Sequence, residues 1–119
     1  MNPKTDHFLL DRIRNYLASL GVEWSEKRMF GGNCFMVNEK MLLGTYKGGI
    51  MTRVDPEELP SFLNRPGAEQ MIHGGRIMTG YAFLEGEAYD SEIDLQFWID
   101  QCLAFNPRAK SSKKRKKSS

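Results

Sequence analysis

The chain has 119 residues, of which 40% are hydrophobic and 11% are aromatic. This length allows one domain, and this composition supplies a packed core and argues against a wholly disordered chain. No apolar run approaches the length of a membrane span, and the polar start of the chain is unlike a signal peptide. Two cysteines are too few for a disulfide framework, so we expect a protein of a reducing cytoplasm with both thiols free.

The net charge of +2 hides two oppositely charged parts. Residues 108–119 hold seven basic and no acidic side chains, which leaves ten basic against 15 acidic side chains in residues 1–107. The body therefore carries −5 and the tail +7. Runs of like charge stay disordered through self-repulsion, so we predict a folded domain over residues 1–107 and a disordered basic tail over residues 108–119.

The predicted elements begin with an amphipathic helix. Asn2 and Pro3 are typical of a helix start, and Gly21 is typical of a helix end. One apolar stripe with helical spacing lies between them, formed by Leu9, Ile13, Tyr16, Leu17 and Leu20. The opposite face of this helix is polar, so the stripe should face the core.

The middle of the chain predicts an antiparallel sheet of about five strands. The strand segments are residues 22–30, 34–37, 41–46, 50–54 and 76–84. Paired glycines at Gly31–Gly32, Gly48–Gly49 and Gly74–Gly75 suit hairpin turns, because glycine accepts the positive φ that tight turns demand. Short connections between neighbouring strands favour antiparallel pairing.

Two further helices follow from capping signals. Asp55-Pro56 starts a short helix that ends near Leu63, and Ser91, three residues before Asp94, opens the last helix. The apolar stripe of the last helix consists of Leu95, Trp98, Ile99 and Cys102, and Asn106–Pro107 end it. The predicted fold class is α+β, with the sheet flanked by N- and C-terminal helices.

No residue pattern predicts catalysis or a cofactor. The soft or imidazole ligands are His7, Cys34, His73 and Cys102, and they lack the paired spacing of a metal site. Cys34 and His73 form a conceivable nucleophile–base pair, but Cys34 lies in an apolar strand, where cysteine usually packs as a small hydrophobe. The glycine pairs match no phosphate-binding loop. We therefore predict no catalytic, cofactor-binding or metal-binding residues.

Six methionines lie in or beside the β region: Met29, Met36, Met41, Met51, Met71 and Met78. Core packing is the simpler interpretation, and a pliable partner-binding surface is the alternative. Two further features have structural interpretations. Phe30-Gly31-Gly32 is predicted to be a turn between strands, and Trp98 is predicted to anchor the last helix to the sheet.

The basic tail is the candidate nucleic-acid contact. Its residues Lys110, Lys113, Lys114, Arg115, Lys116 and Lys117 would touch phosphates weakly and without reading sequence. The alternative is a tail that only keeps the protein in solution.

Several short sequence segments, which follow one another along the chain, resemble a known family. They are Arg28-Met29-Phe30-Gly31-Gly32, Cys34-Phe35-Met36-Val37, Arg65-Pro66-Gly67-Ala68, Gly75-Arg76-Ile77-Met78 and Gly80-Tyr81-Ala82-Phe83. Over residues 8–105 the chain resembles the N-terminal domain of the TfoX/Sxy competence-regulator family. The resemblance implies a compact α+β domain, similar in outline to small chaperone-like folds, and it offers no catalytic residues.

The resemblance also sets the functional expectation. Full-length members promote competence genes with a partner transcription activator and carry a second, C-terminal domain, in whose place this sequence has the basic tail. We therefore expect a stand-alone, non-enzymatic regulatory protein that acts through an unidentified protein partner, with possible nonspecific DNA binding by the tail. The alternative is a protein-interaction or chaperone-like module with no nucleic-acid role.

Overall fold

The computed structural model describes residues 7–109. Its helices are α1 (His7–Ser19), α2 (Leu59–Phe62) and α3 (Glu92–Phe105). Its strands are β1 (Ser25–Met29), β2 (Gly32–Val37), β3 (Lys40–Tyr46), β4 (Gly49–Arg53), β5 (Ala68–His73) and β6 (Arg76–Leu84). The predicted α+β class, an antiparallel sheet with N- and C-terminal helices, is confirmed. None of the helices between residues 7 and 109 combines the length and the apolar character that a membrane span needs.

The six strands form one sheet in the order β1-β2-β3-β4-β6-β5, and every neighbouring pair is antiparallel. Four of these pairs are hairpins closed by two residues with positive φ, the pattern of a type I′ turn. The turn residues are Phe30–Gly31, Asn38–Glu39, Lys47–Gly48 and Gly74–Gly75. The remaining pair, β4 with β6, is formed across an intervening segment that contains α2 and β5.

The sheet has one strand more than predicted. Strand β5 was missed because the segment between Gly67 and Gly74 mixes polar and apolar residues without a long apolar run. The first strand is shorter than the predicted residues 22–30, since Phe30 belongs to the turn. The turn also lies one residue earlier than Gly31–Gly32, because Gly32 is the first residue of β2.

One face of the sheet packs against α1 and α3 and forms the larger core. The stripe of α3 is fully buried in it, as predicted, at Leu95, Trp98, Ile99 and Cys102. The stripe of α1 is buried at Leu9, Ile13 and Leu17, with Leu10 in addition. Leu20, however, is 47% exposed, because α1 ends at Ser19 and the chain turns away at Gly21, whose φ is 73°. Asn2 and Pro3, the predicted helix start, lie outside the described residues.

The helix ends follow their capping signals to different extents. At α3 the Ser91 hydroxyl accepts the Asp94 backbone N–H at 3.1 Å, as the sequence predicts. Helix α2 is only one turn long and starts later than predicted. Asp55 still accepts a backbone N–H from Glu57, at 2.9 Å, so it caps the turn that precedes α2.

Asn106 fastens the end of α3 to the β2–β3 hairpin. Its side chain is buried, its Nδ2 donates to the Val37 carbonyl at 3.1 Å, and its Oδ1 accepts from Asn38 Nδ2 at 2.7 Å. The packed chain continues to Ala109, which is also buried. The division between a domain over residues 1–107 and a tail stays a prediction, since residues beyond 109 are outside the described part.

The other face of the sheet carries a second, methionine-rich core, which we call the methionine cluster. Its buried members are Cys34, Met36, Met41, Tyr46, Met51 and Met71, and Met29, Met78, Tyr81 and Phe83 pack against them. The core interpretation of the methionines is therefore confirmed. Within residues 7–109 no helix packs on this face; it is covered instead by the end of the β5–β6 hairpin, residues 71–78, which we call the strap.

The strap reaches across most of the sheet. Strands β1 and β5 are the two edges of the sheet, about 24 Å apart if six strands lay flat. Nevertheless the ring of His73, at the end of β5, lies 5.2 Å from the ring of Phe30, in the β1–β2 turn. The strap must therefore fold back over the methionine cluster.

Candidate functional site

The potential metal ligands are dispersed. Cys34 belongs to the methionine cluster, whereas Cys102 belongs to the core on the helix side of the sheet. Between residues 7 and 109 no three side chains of histidine, cysteine, aspartate or glutamate come together as a metal site would require. The four candidate ligands therefore do not converge in the described part of the chain.

The structure does not assemble the conceivable Cys34–His73 pair. The Cys34 thiol is fully buried, and burial raises its pKa to about 11. Its hydrogen-bond partner is the Met29 carbonyl, at 3.8 Å, while the Nδ1 atom of His73 bonds to the Tyr46 hydroxyl at 2.8 Å. A nucleophilic cysteine needs a lowered pKa and access to substrate, and Cys34 has neither.

The Phe30-Gly31-Gly32 block is built as a turn. Phe30 and Gly31 have φ values of 56° and 76°. Gly32 has a different role: a Cβ atom there would lie 1.9 Å from the carbonyl oxygen of Thr45 on β3. The first glycine therefore serves backbone conformation, and the second allows two strands to approach closely.

A cleft of about 290 Å³ lies between this turn and α1, and its wall includes His7, Arg14, Arg28 and Thr45. Arg14, one of the two arginines in this wall, is paired with carboxylates. Arg14 donates to Glu26 through two nitrogens, at 2.9 and 2.8 Å, and to Asp11 at 3.0 Å. These carboxylates leave Arg14 no unpaired charge with which to hold an anion.

Trp98 of α3 is part of the helix-side core. Its side chain is 1% exposed and its ring meets those of Phe62 on α2 and Phe97 edge-on, at 5.7 and 5.4 Å. Its indole Nε1 has no hydrogen-bond partner among residues 7–109. Because Trp98 is buried, it is part of the core and not of a partner-binding surface.

The outer side of the strap is the most exposed apolar part of the sheet. Ile72 and Ile77 are directly opposite each other on β5 and β6, and they are 57% and 68% exposed. Phe30, which contacts the strap through His73, is 39% exposed. Apolar side chains are costly to leave in water, and an exposed apolar pair on a strand surface is a common feature of binding surfaces.

A groove of about 270 Å³ borders the same strand. It is lined by Tyr46, Lys47, Glu69, Gln70, Met71, Ile72 and Phe83. Its walls are mostly apolar, with Lys47 and Glu69 as opposite charges. Together with Ile72 and Ile77 it forms the candidate interaction surface.

Sequence reasoning missed this surface because it missed β5. The available signal was the Gly74–Gly75 turn itself, because a hairpin turn before the predicted strand 76–84 implies a strand on its other side. The candidate nucleic-acid contacts of the tail, from Lys110 to Lys117, lie outside the described residues, so they stay a prediction.

Comparison with known proteins gives one result. No curated protein and no solved structure has a significant match to this chain. A family model described as the TfoX N-terminal domain matches residues 15–106, which is most of the chain and nearly all of the described part. This range contains all six strands, α2, α3 and the C-terminal part of α1 from residue 15 onward. The chain therefore belongs to the TfoX N-terminal domain family.

Proposed function

We propose that this protein is a non-enzymatic regulatory domain that acts in transcription or competence-type regulation by binding a partner protein in the bacterial cytoplasm. Family membership supports the regulatory part of this proposal. The exposed Ile72–Ile77 pair on the strap is the observation that supports partner binding.

The candidate surface has the make-up of a small protein-binding site. Its centre is apolar, and Lys47 and Glu69 provide charged groups at the groove beside it. An apolar centre with a polar rim is the usual anatomy of an interface. The other strongly exposed apolar residues of the described chain, Phe8 and Ile93, lie in the first turns of α1 and α3 and border neither the strap nor the groove.

The test is affinity capture with matched variants. The full-length chain, the double variant Ile72→Lys/Ile77→Lys and the control Ile93→Lys would be immobilised and exposed to cytoplasmic extract treated with nuclease. Ile93 is 79% exposed, more than Ile72 or Ile77, so the control adds a charge at an exposed apolar position outside the proposed surface. We expect a protein of the transcription apparatus to bind the wild type and the control and to be lost with the double variant.

Other outcomes decide between the functions. Identical capture by all three proteins would contradict the proposed surface. Selective capture of many unrelated, partly unfolded proteins would instead support the chaperone-like alternative. Nuclease treatment removes proteins that are held only through DNA, so nonspecific DNA binding by the tail is tested separately.

A further inference from the structure

The strap is joined to the rest of its hairpin by an irregular segment. Gln70 pairs with Ala82, and Ile72 pairs with Ile77, so one residue of β5 faces four residues of β6. Within those four residues Gly80 has a φ of 82°. The regular ladder of backbone hydrogen bonds is therefore interrupted at the base of the strap.

A single side chain bridges this interruption. The Gln70 Nε2 group lies 3.1, 2.9 and 3.2 Å from the carbonyl oxygens of Met71, Met78 and Tyr81. An amide NH₂ group has two hydrogens for these three acceptors. The base of the strap is thus closed by a rotatable side chain where a regular hairpin would have backbone pairs, which makes it suited to act as a hinge.

The tip of the strap is held in place by contacts of His73. Its Nδ1 atom shares a hydrogen bond with the Tyr46 hydroxyl at 2.8 Å, and its ring meets Phe30 at 5.2 Å and Tyr46 at 5.7 Å. His73 is exposed, so water competes for this hydrogen bond. The tip is therefore held by contacts that are individually easy to break.

The strap covers side chains that adapt easily to its movement. Met71 and Met78 face the methionine cluster from the strap, and methionine packs with little shape specificity. Cys34 is fully buried in the same cluster. Removal of the strap would uncover this cluster without disturbing the core on the helix side, which is separated from it by the sheet.

We propose that residues 71–78 open as a unit about a hinge at Gln70 and Gly80, and that this opening exposes the methionine cluster and Cys34 while the helix-side core stays closed. Such an opening is a sub-global event, which proteins undergo without unfolding as a whole. The proposed opening of the strap does not depend on what its outer side binds.

The two cysteines report on the two sides of the sheet. Cys34 lies in the methionine cluster and Cys102 in the helix-side core, and both are free and buried. Global unfolding exposes both thiols equally, whereas opening of the strap exposes Cys34 alone. Alkylation of the full-length protein by N-ethylmaleimide, followed at each cysteine by mass spectrometry and normalised to the chain in urea, therefore distinguishes the two events.

We expect Cys34 to react at least tenfold faster than Cys102 under native conditions. Tyr46→Phe removes only the hydroxyl that bonds to His73. It should therefore increase the alkylation rate of Cys34 about three- to tenfold and leave the alkylation rate of Cys102 unchanged. His73→Ala should have a larger effect in the same direction. Arg76→Ala, an exposed change within the strap, is the matched control and should leave both rates unchanged.

Three results would overturn the proposal. Equal rates at Cys34 and Cys102 would show that only global unfolding exposes them. Parallel acceleration of both thiols in Tyr46→Phe would show a general loss of stability. An absence of Cys34 reaction in native buffer, when the chain in urea reacts fully, would show that the strap stays closed.

Discussion

Arg14 of α1 holds Glu26 of β1 in a bidentate ion pair, with Nε 2.9 Å from Oε2 and Nη2 2.8 Å from Oε1. Trp24 Nε1 and Asn33 Nδ2 donate to the same carboxylate at 3.0 and 2.9 Å. These donors, Arg14 first, lower the pKa of Glu26 to about 2. The pair connects the first helix to an edge strand that otherwise makes few contacts with the helices.

This pair predicts a specific dependence of stability on pH. The pKa of Glu26 is lower in the folded state than in the unfolded state, so its contribution is complete above about pH 5 and is lost as the pH falls toward 2. Glu26→Gln should therefore lower the free energy of unfolding at pH 7 by about 1–3 kcal/mol and flatten its decline in acid. Urea titrations at several pH values measure both effects.

The control is Glu23→Gln, a neighbouring exposed carboxylate with no ion pair described. In this variant the free energy of unfolding should fall at acid pH as steeply as it does in the wild type. A Glu26→Gln variant whose stability falls between pH 7 and pH 3 as steeply as that of the wild type would contradict the assignment.

The adjacent glycines of the first turn should respond differently to alanine. Gly31→Ala introduces strain because its φ is 76°, but nothing lies within 4 Å of the new Cβ, so we expect a loss of about 1–2 kcal/mol. Gly32→Ala places a Cβ 1.9 Å from the Thr45 carbonyl oxygen and should cost more, about 3 kcal/mol or above. Thermal melts give the order. Gly31→Asn, which tolerates positive φ, is the control and should be close to wild type.

Trp98 should behave as a core residue. Trp98→Ala should cost about 3–5 kcal/mol because the ring is buried between α2 and α3. Trp98→Phe should cost clearly less, because it keeps an aromatic ring and removes an indole N–H that has no acceptor among the described residues. Chemical denaturation measures both. Equal losses in the two variants would show that the indole makes a polar contact, such as one with a buried water.

The basic tail predicts salt-dependent, sequence-independent binding to DNA. If five or six of the six basic side chains in residues 110–119 contact phosphates, log K should fall with log salt with a slope of about −4.5 to −5.5. Deletion of these residues should abolish binding and leave the melting temperature nearly unchanged, because both hydrophobic cores are built from residues 9–109. Fluorescence anisotropy with labelled duplexes of two unrelated sequences measures the affinity. Sequence-selective binding that survives the deletion would place the DNA site on the folded body.

Elements with strong local signals could be predicted from the sequence. The α3 stripe and its Ser91 cap depend on the spacing of a few residues within one helix, and paired glycines locate hairpins by their conformational freedom. Phe30 was harder to place, because a bulky residue with positive φ is rare and reads as part of a strand.

The candidate surface depends on long-range packing, which no local pattern contains. The exposure of Ile72 and Ile77 follows from the way the strap folds back, since Met71 and His73 then face the cluster and the isoleucines face outward. If β5 were flat, the alternation of Met71, Ile72 and His73 alone would not show which side of the strand is covered. The Gly74–Gly75 turn indicates a hairpin, but the positive φ of Gly80 and the hydrogen bonds of Gln70, which shape the base of the strap, have no signature in the local residue pattern.

The order of the strands also bears on how quickly this domain folds. Four of the five strand pairs are two-residue hairpins, each of which can form locally in about 1–10 μs. Only β4 with β6 requires the closure of a long loop, from Arg53 to Tyr81. Buried Thr52 on β4 donates to the Ala82 carbonyl on β6 at 3.1 Å, so it helps to join these two strands. Thr52→Val should therefore slow refolding in stopped-flow experiments.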